Sequence, residues 1–402
     1  MTNKYILSAS HIGAFKVCPM RYNLRYVKGL KPSDETESQR YGTNWHKILE
    51  IVNLKAGDLC PDCQPDITPD CPICTGAGIV PDGGMDAVIR YLDATYAGCP
   101  MGKSKDEWEV ERIVLLYSLI GYNWYYAERN KEYKVVAQEI EFQLPLRSPG
   151  SGRNLANTVV QGRIDKLLEN TQGKLFVSEH KSTAKGLDPD SSYWKHLVLD
   201  CQTTLYPYVV RNSGDIQKLL EGHDTSSIGV LFDVWHRPGI KPSKLTQADS
   251  KTFVETGGYC GQKFEVTGDK KMELTDGPGI IINGVPIIHE PGKKEGTFAI
   301  KETPEMFGAR LLQDITERPE FYFCTKEIAR TDADLIRFEK QLFNIYQAMK
   351  MMTKSDGFWC DENQCEATFK CPFTNICYNN IEVDPANPPE GFTSRFQKKE
   401  GE

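Results

Sequence analysis

Two stretches decide how this chain folds: Val159-Val160-Gln161-Gly162-Arg163-Ile164-Asp165-Lys166-Leu167-Leu168 and Leu175-Phe176-Val177-Ser178-Glu179-His180-Lys181. Both are rich in β-branched and aliphatic residues, and the Thr171-Gln172-Gly173 turn between them makes them consecutive strands. A third strand, Val135 to Leu146, precedes them across a Ser-Pro-Gly-Ser-Gly turn, so the spacing predicts a three-stranded meander. Side chains alternate along a strand, so Glu179 and Lys181 share one face and His180 turns to the other. With Asp165 on the same side of the neighbouring strand, two carboxylates and an ammonium converge. Such a group suits a hard divalent cation, which needs few but well-placed oxygen ligands and keeps waters for chemistry. The same residues would also serve as ordinary ion pairs at a sheet edge, and the surroundings decide between the two.

Working outward, 402 residues leave room for two or three domains at roughly 150 residues each, or for one elaborated domain. An apolar fraction of 40% and a charged fraction of 26% belong to an ordinary globular protein. The net charge of -7 excludes a uniformly basic coat, so any nucleic-acid contact must come from a local electropositive groove. No leader-like pattern occupies Met1 to Ser10 and no apolar run reaches bilayer length, so the expected location is cytoplasmic, with no membrane partner.

Helical spacing covers Leu7 to Leu30, entered through Ser8 or Ser10, with Ile12, Phe15, Cys18, Tyr22 and Tyr26 in period. A second helix starts near Thr43, its candidate N-cap, and lines Trp45, Ile48, Leu49 and Val52 on one face. Helices are also expected over Ala87 to Tyr96, Asp106 to Asn130, Trp194 to Asn212, Pro304 to Ile315 and Asp332 to Met352, with a strand over Ile228 to Trp235. Residues 237–300 carry short strand-like runs, Ile280 to Ile282 and Val285 to Ile288, and read as an elaboration on the core. The polar, Pro-rich tail from about Asp384 is expected to be flexible.

Thirteen cysteines in a long chain point to metal ligation rather than a disulfide framework. Cys60-x2-Cys63 and Cys71-x2-Cys74 lie in a Gly- and Pro-rich break between Ala56 and Asp86; two such turns can present four thiolates tetrahedrally, the usual arrangement for zinc. Cys99, Cys201, Cys260 and Cys324 stand alone and read as buried small apolar residues.

The motifs form an ordered series: Cys18-Pro19 with Tyr22 and Tyr26, Gly42 through Glu50 around His46, Glu139 ahead of Phe142, Gly162 to Asp165, Glu179 to Lys181, Gln202 to Tyr206, and the carboxy-terminal cysteines. This series resembles the RecB-like branch of the PD-(D/E)XK nuclease superfamily, which includes the CRISPR-associated iron–sulfur exonucleases, and more closely its phage versions. The resemblance implies that Asp165 and Glu179 ligate Mg²⁺ or Mn²⁺, that the His180 carbonyl and His46 complete the ligands, and that Lys181 is the catalytic lysine. Gln202 and Tyr206, one helical turn apart, match the family's QxxxY motif. Glu139 would be a secondary acidic residue, with Glu141 as its alternative two positions along. The resemblance further implies a [4Fe–4S] cluster on Cys18, Cys365, Cys371 and Cys377. The chain has C-x5-C where the family commonly has C-x2-C, which sets Cys360 against Cys365; Cys365 is preferred, and zinc in the same thiolates is the alternative.

The expected architecture is a restriction-endonuclease-like α/β core, a mixed central sheet flanked by helices. Its parts are amino-terminal helices (1–55), a zinc-binding insertion (56–86), the nuclease core (87–236), an elaboration (237–300), helices with the cluster cysteines (301–383) and the tail (384–402). The expected activity is metal-dependent hydrolysis of DNA phosphodiesters at single- or double-stranded ends, by an exonuclease of phage replication, recombination or repair in the host cytoplasm. Its rivals are a catalytically silent DNA-binding scaffold and a nuclease subunit active only with a helicase or recombinase, with a single-strand-binding protein as a further partner. No P-loop is present, so ATP-driven unwinding would belong to another chain.

Overall fold

The computed structural model describes residues 4–268, 279–287, 289–291, 294, 297–367 and 370–396. Six strands form one mixed sheet: β1 (Tyr5–Leu7), β2 (Tyr133–Leu144), β3 (Thr158–Asn170), β4 (Lys174–Thr183), β5 (Asp224–His236) and β6 (Phe323–Ala329). The expected meander is present, β2 and β4 each antiparallel to β3. β5 lies parallel to β4 and β6 antiparallel to β5.

The register explains where a site can open. Val160 pairs with Leu144 of β2 and also with Leu7 of β1, so these two strands flank β3 on opposite edges. β1 therefore shares an edge of β3 with β4, but at the other end, since β4 pairs only over Lys166 to Glu169. Asp165 stands at the fork between them. β4 continues past Ser178 paired with β5 alone, and this splayed stretch carries Glu179, His180 and Lys181.

Among the described residues, the helices that cover the sheet include α1 (Ala9–Val17), α2 (Glu37–Ile51), α3 (Gly84–Tyr96), α4 (Lys105–Tyr125), α5 (Cys201–Asn212), α6 (Pro304–Glu317) and α7 (Asp332–Ser355). On one face α1, α5 and α7 bury Ile12, Leu205, Val209 and Leu342 against Val160, Ile164 and Val177. On the other, α2, α3, α4 and α6 pack around Trp235, which stacks on Trp45 at 4.2 Å.

Several boundaries differ from the sequence reading for local reasons. The first helix starts at the Ser8 N-cap but stops at Val17, because Pro19 holds Cys18 in extended backbone. The second begins at Glu37, not Thr43, under a capping box of Thr36 and Gln39. Trp194 to Asn212 is two helices, broken at Asp200, whose carboxylate caps Gln202. Strands β1 and β6 were not anticipated: β1 is three residues long, and β6 interleaves Lys326 and Glu327 with its apolar positions.

The tail is not free over its described length. Phe392–Ser394 pairs with Leu30–Pro32, and Phe392 stacks on Phe373 at 5.5 Å; residues 397–402 lie outside the described set. Residues 237–300 enclose a small core of Leu245, Phe253, Phe264, Ile280 and Phe298. Glu302 latches this core to α6 and to Tyr259, accepting from Arg310 Nε and from the Tyr259 hydroxyl, each at 2.6 Å. Of the expected run Val285 to Ile288, Val285–Pro286 pairs with Ile281–Ile282, and Ile288 lies outside the described residues. Cys99, Cys201, Cys260 and Cys324 are half-buried rather than fully buried.

Candidate active site

The fork gathers the sequence-predicted residues. Asp165 Oδ2 accepts the main-chain N–H of His180 at 3.2 Å and lies 3.4 Å from Nδ1 of His46, which α2 brings across the open edge. Glu179 Oε1 accepts from Lys181 Nζ at 2.5 Å and from Gln202 Nε2 at 2.7 Å. Lys181 also donates to Gln202 Oε1 at 2.8 Å, and Gln202 donates its other amide hydrogen to the Tyr206 hydroxyl at 2.6 Å. The one-turn spacing of Gln202 and Tyr206 on α5 thus links the helix to both β4 side chains. The other oxygen of Glu179, Oε2, is buried with no partner.

The electrostatics follow from crowding. Burial, reinforced by the charge of Glu179, pushes the Asp165 carboxyl up to about 8. Burial lowers His46, favouring the neutral imidazole that serves as a ligand, and the carbonyl of His180 faces its ring. For Lys181, burial opposes the charged form, but the Glu179 carboxylate more than reverses this and keeps the ammonium protonated. A buried carboxylate with an unpaired oxygen and a second, half-buried one, beside an imidazole and a carbonyl, make a donor set that fits Mg²⁺ or Mn²⁺.

Glu139 lies opposite this group, since Gln138 pairs with Lys166 and Ile140 with Ile164. Its φ of 51° is left-handed, an uncommon conformation for glutamate within a strand. Glu139 and Glu141 hold the same Arg163 guanidinium, at 3.0 and 2.9 Å. Of the two, Glu139 is the one whose charge acts on Asp165.

Sequence reasoning missed why Gly162 is glycine: a Cβ there would stand 2.7 Å from Cζ of Phe142, whose ring meets Tyr206 edge-on at 6.3 Å. It also missed Asp233, though a lone acid inside Leu231-Phe232-Asp233-Val234-Trp235 is a visible signal. Beside Gln202 and Tyr206 opens a cavity of about 490 Å³ whose wall carries Lys16, Gln161 and Arg163 against Asp200.

With this geometry established, comparison with protein families is decisive: the model of the PD-(D/E)XK nuclease superfamily matches residues 6–378. The chain belongs to the PD-(D/E)XK nuclease superfamily. A search of curated proteins gave no match. Membership makes this a metal-dependent nuclease, and its mixed sheet between two helical layers is the corresponding core. Among the described residues of this nuclease no helix is long and apolar enough to cross a membrane.

The insertion of the nuclease is built around its cysteines. Cys60, Cys63, Cys71 and Cys74 are buried, with all four thiol sulfurs within 4.8 Å of one another, and can hold a metal ion. The Cys60–Cys71 and Cys63–Cys74 sulfurs are 3.6 and 3.5 Å apart, near the ~3.8 Å edge of a tetrahedron with 2.3 Å metal–sulfur bonds. Arg90 of α3 fastens this loop to the core by donating to the carbonyls of Pro72 and Ile73 at 3.0 and 2.9 Å.

At the other site, Asp361 N–H donates to Cys18 Sγ at 3.4 Å, which joins the two ends of the chain. The thiol of Cys18 interacts with those of Cys360, Cys365 and Cys377, and that of Cys371 with those of Cys365 and Cys377, so the five lie in one region. Cys365 is buried and Cys360 exposed, yet both belong to this group. Among the described residues, no three of these thiols draw as close as the insertion set.

Proposed function

We propose that the chain is a DNA exonuclease of phage replication, recombination or repair, with Mg²⁺ or Mn²⁺ held by Asp165, Glu179, His46 and the His180 carbonyl. The observation that carries this is Glu179: one oxygen is committed to Lys181 and Gln202, and the other is buried and unpaired beside Asp165. When bound, the metal supplies polarisation of the scissile phosphate and a lowered pKa for an attacking water. Lys181 contributes a fixed cation, held by Glu179 and Gln202, that can orient a nucleophile or offset charge on a phosphate oxygen. Tyr206 fixes Gln202, and the adjoining cavity gives a single strand access to these groups. Among the sequence motifs there is no separate sequence-reading element, which favours processing from ends.

The insertion thiolates are assigned to zinc, which such a small loop requires in order to fold. The terminal set, Cys18, Cys365, Cys371 and Cys377 with Cys360 as the alternative to Cys365, is assigned to a [4Fe–4S] cluster. Its wider spacing suits a multi-atom cluster better than a single zinc ion. A helicase or recombinase is the fitting partner for double-stranded DNA.

The test is anaerobic purification with iron, sulfide and zinc analysis, then incubation with end-labelled single- and double-stranded DNA and Mg²⁺ or Mn²⁺. Release of labelled mononucleotides or short fragments from ends is expected, together with iron and sulfide. Equal degradation by wild type and Lys181→Ala would show the site to be misassigned, and absence of iron with about two zinc ions per chain would remove the cluster alone.

A further inference from the structure

Behind the catalytic strand, the opposite face of the sheet holds a second polar chamber. It is a cavity of about 170 Å³ between α2, α4 and strands β3 to β5, and Arg129, Lys166, His180 and Asp233 are among its walls. His180 is 4% exposed, and neither of its ring nitrogens has a hydrogen-bond partner. In hydrogen bonds Arg129 uses only Nη2, on Asn130 Oδ1 at 3.1 Å and Asp233 Oδ2 at 3.2 Å; its Nε and Nη1 are buried without acceptors, and the guanidinium lies over the Tyr126 ring, 3.3 Å from its centroid. Lys166 has no ion-pair partner among the described residues.

Among the described residues Asp233 is the only carboxylate in the wall; it already accepts from the Tyr122 hydroxyl and from Arg129, and its Oδ2 lies 3.7 Å from His180 Nδ1. Two cations against one carboxylate leave an excess positive charge in a partly desolvated chamber. Water can satisfy idle donors, but it cannot balance that charge; an oxyanion does both. At ~30 Å³ per water the chamber holds roughly five or six waters, enough for a tetrahedral oxyanion and a water or two but not for a nucleoside.

We propose that this chamber is an oxyanion site that binds a phosphate group through Arg129, Lys166 and a ring nitrogen of His180. It lies across the sheet from the carboxylates of the metal-binding fork, shares only His180 with it, and does not depend on the nuclease reading. The phosphate comes either from inorganic phosphate or from the terminal phosphate of a 5′-mononucleotide whose nucleoside stays outside.

The test is calorimetric titration of the full-length protein without added divalent ions, with inorganic phosphate replacing chloride at constant ionic strength and deoxyadenosine 5′-monophosphate in a parallel arm. Wild type and Lys181→Ala bind phosphate alike, Lys166→Met weakens binding about tenfold or more, and Asp233→Asn tightens it. Should Lys166→Met fail to fold by circular dichroism, Arg129→Gln takes its place, and the tightening in Asp233→Asn cannot arise from unfolding. Nucleotide binding as tight as phosphate assigns the group to a nucleotide, and a silent nucleotide arm assigns it to free phosphate. No binding by folded wild type, or binding lost in Lys181→Ala but kept in Lys166→Met, overturns the proposal.

Discussion

The two faces of β4 are built on opposite terms. Towards α5, Glu179 and Lys181 form a hydrogen-bonded network with Gln202 and Tyr206, yet leave a carboxylate oxygen unpaired beside a second carboxylate. Towards α2 and α4, His180 lines a chamber with Tyr122, Asp233, Arg129 and Lys166, where cations outnumber acids. One strand therefore separates an acidic, cation-seeking side from a basic one. A polar group left unpaired in a protein interior costs free energy, and each face keeps some. The acidic face does so with residues whose spacing can be read along the chain, and the basic face with residues drawn from distant segments.

The largest effect expected from breaking this contrast is on the acidic face. Glu179→Gln keeps the shape and can keep the hydrogen bonds to Lys181 and Gln202, but it removes a charge the metal needs. Cleavage of end-labelled DNA is expected to fall about 10²–10³-fold or more, while the far-ultraviolet spectrum and melting temperature stay near wild type. A variant that cuts at wild-type rate would show that the unpaired oxygen is not a ligand.

Second is the dependence on pH. Asp165 is raised in the folded protein from its ordinary carboxylate value to about 8, by burial first and by Glu179 second. The folded state thus holds a proton that the unfolded chain has released, so stability without divalent metal falls as pH rises from about 4 to about 8 and levels off above. Comparing denaturant midpoints of wild type and Asp165→Asn across this range isolates the effect. The asparagine variant should lack this part of the slope, and Mg²⁺ should flatten it in wild type by favouring the ionised pair. Identical profiles would mean that the Asp165 carboxyl is not raised in the folded protein.

A smaller effect is expected where the sheet props the acidic face. Gly162→Ala places a methyl 2.7 Å from Phe142 Cζ, and that ring is 3% exposed. The cost should be about 1–3 kcal/mol, read from urea unfolding. Because Phe142 abuts Tyr206, the cleavage rate should also fall, and adding Phe142→Leu should restore part of both. Loss of stability with an unchanged rate would detach Phe142 from Tyr206.

Legibility followed the same division. Strand alternation placed Glu179 and Lys181 together, and the helical repeat placed Gln202 by Tyr206, because both rules act over a few residues. The Cys60 to Cys74 pairs were legible for the same reason. The convergence of His46 with Asp165 depends on where α2 crosses the fork, which no local rule states; here the ordered resemblance supplied what periodicity lacked. The chamber behind His180 was out of reach, since Arg129, Lys166 and Asp233 are far apart in sequence, and Arg129, in a helical turn after α4, meets the two strand residues only in the folded chain. The tail's pairing with Leu30–Pro32 was hidden likewise, its composition reading as flexible while Phe392 supplies the anchor.

The smallest expected effect tests whether the two faces are independent. Tyr122→Phe removes the hydroxyl that donates to Asp233 and leaves the aromatic packing against Trp45 and Phe323 in place. Arg129 still pairs with Asp233, so the carboxylate is not stranded, and the cost should be about 1–2 kcal/mol. The cleavage rate should be unchanged, since the lost bond lies across the sheet from Glu179 and Lys181. The faces nevertheless meet in one residue: the His180 ring lines the basic chamber, while its main-chain N–H donates to Asp165. A Tyr122→Phe variant that folds with near-native stability but cuts more slowly would show that a shift of that ring reaches the peptide in front of it, making β4 a conduit between the faces rather than a partition.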